Sequence, residues 1–168
     1  MIRLELMKAW FDHVHDRRSQ IANTLAAPWF GREAEVWCGR ASSNIICQVM
    51  VEGSTYFLRC NHESERTAAD YMAEMAFVEY LADRNVSVAR PVRSRHDAIV
   101  ESMETELGLF HAVVVEEAAG EERDLDQLTS TDYGTWGATM AELHAAAAGH
   151  ERGGRPDWRK HLRFAQET

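Results

Sequence analysis

Two runs rich in β-branched and aromatic residues, Asn44 to Val51 (NIICQVMV) and Thr55 to Cys60 (TYFLRC), are separated only by Glu52-Gly53-Ser54. So short a turn between two such runs predicts an antiparallel hairpin. Glu35 to Cys38 precedes the pair as a short third strand. Further along, Ala98 to Met103 and Phe110 to Val115 read as two more strands joined through Glu106-Leu107-Gly108. The second of these, FHAVVV, is apolar but for His111 and continuous enough to predict a buried central strand.

Helical spacing fills the intervals. Ile2, Leu6, Ala9, Trp10 and His13 predict one amphipathic N-terminal helix that gives out near the turn Pro28-Trp29-Phe30-Gly31. Asn61 and Ser64 are able to cap a long helix from about Glu65 to Arg84, in which Ala69, Ala73, Ala76, Phe77, Tyr80 and Leu81 make one stripe. Asn85 supplies a left-handed stop, and the chain then runs extended into Pro91. Thr129-Ser130-Thr131-Asp132 has the form of a capping box, and Tyr133, Trp136, Met140, Leu143 and His144 share a face of the helix that follows. Gly149 to Thr168 reads as a polar tail. The simplest way to bury this order is a five-stranded antiparallel sheet packed on one long helix, an α+β layout.

Composition narrows the function. A hydrophobic share of 45% in 168 residues supports one ordinary core. With 18 basic against 27 acidic residues the formal charge is -9, which repels polyanions and argues against nucleic acid or anionic lipid as the main partner. No apolar run reaches bilayer length, and the opening MIRLELMKAWFDHVHD carries too many acids for a signal sequence. Cys38, Cys47 and Cys60 are odd in number and lack CxxC spacing, so they read as reduced thiols in a cytoplasmic protein. His13 and His15 would point to nearly opposite sides of a helix, so they read as surface histidines rather than a metal pair.

Arg59 is the anomaly. It ends an apolar strand, and a guanidinium is costly to take out of water unless something pairs with it. Alternation puts Arg59 and Phe57 on one face of their strand. On the long helix Glu74 sits at the margin of the apolar stripe, aimed at the sheet, with Glu79 and Glu65 as alternatives.

A strand cation held by a glutamate from the next helix is how kinases hold the phosphates of ATP. Here the sequence resembles the small-lobe half of the aminoglycoside phosphotransferase and choline kinase-like family, which has a protein-kinase-like fold. The stretches SSNIICQVMVEGSTYFLR, AEMAFVEYLADRNVSVARPV, FHAVVVEEAAGE and WGATMAELHA carry the likeness, in the family's order, over Ala41 to Ala146. The resemblance implies an ATP site. Ser42, Ser43 and Asn44 would form the loop over the phosphates, with Arg59 as the phosphate-holding cation and Glu74 as its helix partner. Glu116, Glu117 and Ala118 would be the hinge that hydrogen-bonds adenine. Phe57 stands where a smaller residue is usual over the adenine ring, which would narrow the pocket.

The resemblance also implies three parts: an N-terminal helix and turn (1–30), a small lobe (31–120), and a linker helix leading toward a large lobe (121–168). None of the eight histidines has an aspartate two residues later, so the family's His-x-Asp-x4-Asn loop, whose asparagine helps hold Mg2+, has no counterpart here. The expectation is the first half of a phosphotransferase, not competent by itself and without magnesium ligands of its own. The Trp136, Met140 and Leu143 face would be left for a large lobe or for self-association. A non-catalytic interaction or dimerisation module on the same scaffold is the rival reading.

Overall fold

A computed structural model describes residues 4–32, 34–42, 44–120 and 123–150. The fold is α+β. Its strands are β1 (Glu35–Ala41), β2 (Ile45–Val51), β3 (Ser54–His62), β4 (Pro91–Val92), β5 (Val100–Thr105) and β6 (Gly108–Glu116), all antiparallel in one sheet of order β1-β2-β3-β6. The remaining edge of β6 is shared. Val100 pairs with Val113 near one end of β5, while Pro91 and Val92 of β4 pair with Val115 and Val114. The sheet is thus five lanes wide as expected but built from six strands, because the two-residue β4 continues the lane of β5. Proline cannot donate to a ladder, and Pro91 accordingly sits at the sheet's edge. In the β2–β3 turn Glu52 and Gly53 both take positive φ, 50° and 81°, the two-residue geometry that matches strand twist.

The N-terminal region departs from the sequence reading. It forms two helices, α1 (Leu4–Asp12) and α2 (Gln20–Phe30). Between them Asp16 and Arg17 adopt positive φ, and His15 and Arg18 exchange backbone hydrogen bonds of 2.9 and 2.8 Å. The run His15-Asp16-Arg17-Arg18 offers no apolar side chain to bury, so nothing rewards it for staying helical. Pro28 lies inside α2 rather than beyond it, and Gly31, at φ 74°, follows the last turn.

The long helix α3 (Ala68–Ala82) starts later than expected and has a different cap. Thr67 Oγ1 accepts from the Asp70 backbone N–H, and the Asp70 carboxylate accepts from the Thr67 N–H. Asn61 belongs to β3, and Ser64 pairs with the His62 ring instead. Asn85 does take the left-handed conformation, at φ 60°. The packed face is also rotated from the expected stripe. Tyr71 and Met75 are buried against Ile99 and Val113, with Val78 beside them, while Ala69 and Ala76 are exposed. Alanines bury too little area to orient a helix when larger apolar side chains compete. Phe77 and Tyr80 face the end of α4 (Ser130–Ala147), where the Tyr80 hydroxyl donates to the Ala146 carbonyl at 3.2 Å.

β6 separates two cores. Phe110, Ala112 and Val114 join Leu58, Cys60, Cys47, Val49 and Ile45 under Trp10 of α1 and Leu25 and Trp29 of α2. Val113 and Val115 alternate to the α3 side. The three cysteines are free and buried, and the Cys47 thiol donates to the Cys38 sulfur at 3.7 Å across the β1–β2 ladder. The α4 cap forms as expected, Thr129 and Asp132 bonding reciprocally. Among the described residues no helix is long and apolar enough to cross a membrane.

Candidate functional site

β3 carries Arg59 to the α3 face of the sheet, between Ile46 of β2 and Val113 of β6. Glu74 stands one turn along α3 from Tyr71, beside the packed stripe. The two side chains meet: Arg59 Nη2 donates to Glu74 Oε1 at 2.6 Å. Each is 23% exposed, enough burial for the charge-assisted bond to be stronger than a surface pair. Of the two alternatives, Glu79 pairs instead with Arg93 at 3.6 Å, and Glu65 lies before the helix begins.

A second guanidinium, overlooked in the sequence reading, completes the arrangement. Arg66 Nη2 donates to Glu74 Oε2, so each carboxylate oxygen serves one arginine. Its carbon lies 4.5 Å from the centre of the Tyr71 ring and that of Arg59 lies 5.3 Å from it, so one aromatic ring accompanies both cations. Burial alone pushes the Glu74 carboxyl up, but the charges and hydrogen bonds of Arg59 and Arg66 outweigh it and hold Glu74 below the usual carboxylate range. Burial pushes the Tyr71 phenol up, so it stays a hydroxyl and donates to Asn61 Oδ1 at 2.6 Å. Arg59 Nε is buried with no hydrogen-bond partner among the described residues. An unsatisfied buried N–H costs free energy until something accepts from it.

The other expected site residues are spread along the same sheet. Ile45 pairs with Cys60, so the β1–β2 loop lies at the Arg59 end. In that loop the Ser42 backbone N–H donates to the Asn44 carbonyl at 3.0 Å; Ser43 lies outside the described residues. Phe57 is half-buried between Gln48 and Val115, on the face that carries Arg59. Glu116 pairs with Tyr56, three residues from Arg59 and roughly 10 Å along the strand. Its N–H is already given to the Arg90 carbonyl at 2.8 Å, while Glu117 and Ala118, the other residues expected at the hinge, are exposed. The structure therefore brings Arg59 and Glu74 into contact and sets the start of β2, Arg59, Phe57 and Glu116 in order along β3. Sequence spacing gives no sound signal for Arg66, because it lies before the Thr67 cap of α3, where helical four-residue steps do not apply.

Known proteins share this fold. Residues 39–168 match the model of the APH phosphotransferase enzyme family. The chain is 27% identical over 105 residues to amicoumacin kinase of Bacillus subtilis (strain 168), covering 62% of this chain and 31% of that protein. A solved amicoumacin kinase, hAmiN in complex with AMP-PNP, Ca2+ and Ami, superposes with a TM-score of 0.76 at 24% identity over 94% of this chain and 48% of that one. A microcompartment-associated aminopropanol kinase does so with a TM-score of 0.68 at 23% identity, over 82% of this chain and 44% of its own. The chain spans a quarter to a third of the curated relatives it matches. With the strand cation, its helix carboxylate and the kinase-like sheet all in place, the chain belongs to the phosphotransferase enzyme family.

Proposed function

We propose that this chain is the ATP-binding lobe of a cytoplasmic small-molecule phosphotransferase directed at hydroxyl groups. The observation that carries the reading is the Arg59–Glu74 ion pair. The Arg59 side chain as a whole is 23% exposed, so its guanidinium edge, rather than the enclosed Nε, is what would meet a phosphate oxygen. A cation already oriented by Glu74 needs little reorganisation when charge shifts along a phosphate chain. Backbone groups of the Ser42-Ser43-Asn44 loop would close over the phosphates, Phe57 would lie against adenine, and Glu117 and Ala118 would offer it backbone hydrogen bonds. The spacing of about 10 Å between Tyr56 and Arg59 suits a nucleotide laid along β3.

Magnesium bound with ATP would neutralise charge between its phosphates. Among the described residues no three His, Cys, Asp or Glu side chains gather as a metal cage, so no ligand of this chain is assigned to it. The His-x-Asp pattern is missing from the sequence, and the reading is of nucleotide binding without phosphoryl transfer by these residues alone. The face of α4 bearing Tyr133, Trp136 and Met140, 42 to 56% exposed, would receive a large lobe. In support, the chain spans only 48% of the amicoumacin kinase structure it superposes on. Leu143 contributes less than expected to that face, being half-buried.

Thermal melting with Mg-ATP tests the reading. A ligand selective for the folded state stabilises it by about 2.7 kcal/mol at one hundred times its Kd. The expected result is a rise in Tm that Arg59→Ala largely removes. Flat curves to millimolar nucleotide would favour a non-catalytic interaction module instead.

A further inference from the structure

We propose that Arg66 is the positioning residue of the phosphate site: by occupying the second oxygen of Glu74 it fixes the direction of Arg59 and makes the site select for phosphate chains over a bare nucleoside. The inference rests on the nucleotide-binding reading above and deepens it. Arg59 and Arg66 hold separate oxygens of one carboxylate, which leaves Glu74 little freedom to turn. Arg66 is itself held, stacked at 4.5 Å over Tyr71 and donating to the Asp70 carbonyl at 3.5 Å. Tyr71 is in turn tied to Asn61 on β3, the strand of Arg59, so the cluster joins sheet to helix on both sides. The nearby Asp70 carboxylate is turned to the helix cap, where it bonds Thr67.

Two guanidinium groups against one carboxylate leave the trio with a net positive charge in a chain whose formal charge is -9. A trio with one uncompensated positive charge attracts an anion of several negative charges better than a neutral molecule.

Two measurements on the full chain test the proposal, using wild type, Arg66→Gln, Arg66→Lys and Arg59→Ala, each first checked for folding by its melting curve. The first follows the Arg59 Nε–Hε resonance without nucleotide. A sharp, protected signal in wild type that broadens and exchanges faster in Arg66→Gln supports positioning; an unchanged signal overturns it. Arg66→Lys, which keeps the charge, separates lost charge from misfolding by recovering part of the protection. The second titrates adenosine, ADP and ATP. Arg66→Gln should weaken ATP at least tenfold and leave adenosine within twofold, whereas equal weakening of both would indicate a merely structural role and overturn the proposal. If wild type bound no nucleotide while the resonance still responded to Arg66→Gln, the nucleotide reading would fail and the positioning of Arg59 would stand.

Discussion

Glu74 serves two arginines at once, and its environment makes a pH statement. Its folded pKa lies below the ordinary carboxylate value, so the pair's contribution is complete above the unfolded value and is lost as pH falls through the folded one. Glu74→Gln should cost roughly 1–3 kcal/mol of stability at neutral pH, and urea melts should show the gap to wild type closing only below about pH 4.3. A gap that closed near pH 7 would mean that another group carries the effect. If Phe57 lies against adenine, Phe57→Ala should remove that contact and weaken ATP several-fold, read by the nucleotide titrations; unchanged or tighter binding would mean that Phe57 narrows the pocket instead. The Arg59–Glu74 pair was legible because a charge in an apolar strand demands a partner and helical geometry supplies few. Arg66 was not, since it precedes the helix and its reach to Glu74 depends on the chain's path between β3 and α3.

At the scale of elements, the strands were the readable part. Period-two patterning and the Glu52-Gly53 turn locate the β2–β3 hairpin, and the FHAVVV run, apolar but for His111, marks β6 as central. The helices were harder to read. α3 is apolar on more than one side because it packs on the sheet through Tyr71 and Met75 and on α4 through Tyr80, so spacing could not choose between faces. Local chemistry decided its start: Thr67→Ala should remove the capping box and cost about 1 kcal/mol, measurable by urea melts. The β2–β3 turn gives a second check. Gly53 stands at φ 81° with open space around it, so Gly53→Ala should cost about 1–2 kcal/mol through backbone strain alone.

The whole molecule is lopsided. Two helices cover one side of the sheet, α3 covers part of the other, and α4 presents Tyr133, Trp136 and Met140 outward. If that face is the seat of a large lobe, the isolated chain should self-associate weakly. Trp136→Glu should shift sedimentation toward monomer without lowering the melting temperature; a drop in Tm would mean that Trp136 is packed after all. The placement of the tryptophans has a practical consequence. Of the five tryptophans, Trp10 and Trp29 are enclosed, at 1% and 6% exposure, Trp37 is half-buried beneath Arg18, Trp158 lies outside the described residues, and Trp136 stands in water at 56%. The protein therefore carries its own optical gauge: whatever seats itself on α4 should blue-shift, and shield from acrylamide, the share of the indole emission that Trp136→Phe removes, with no dye attached.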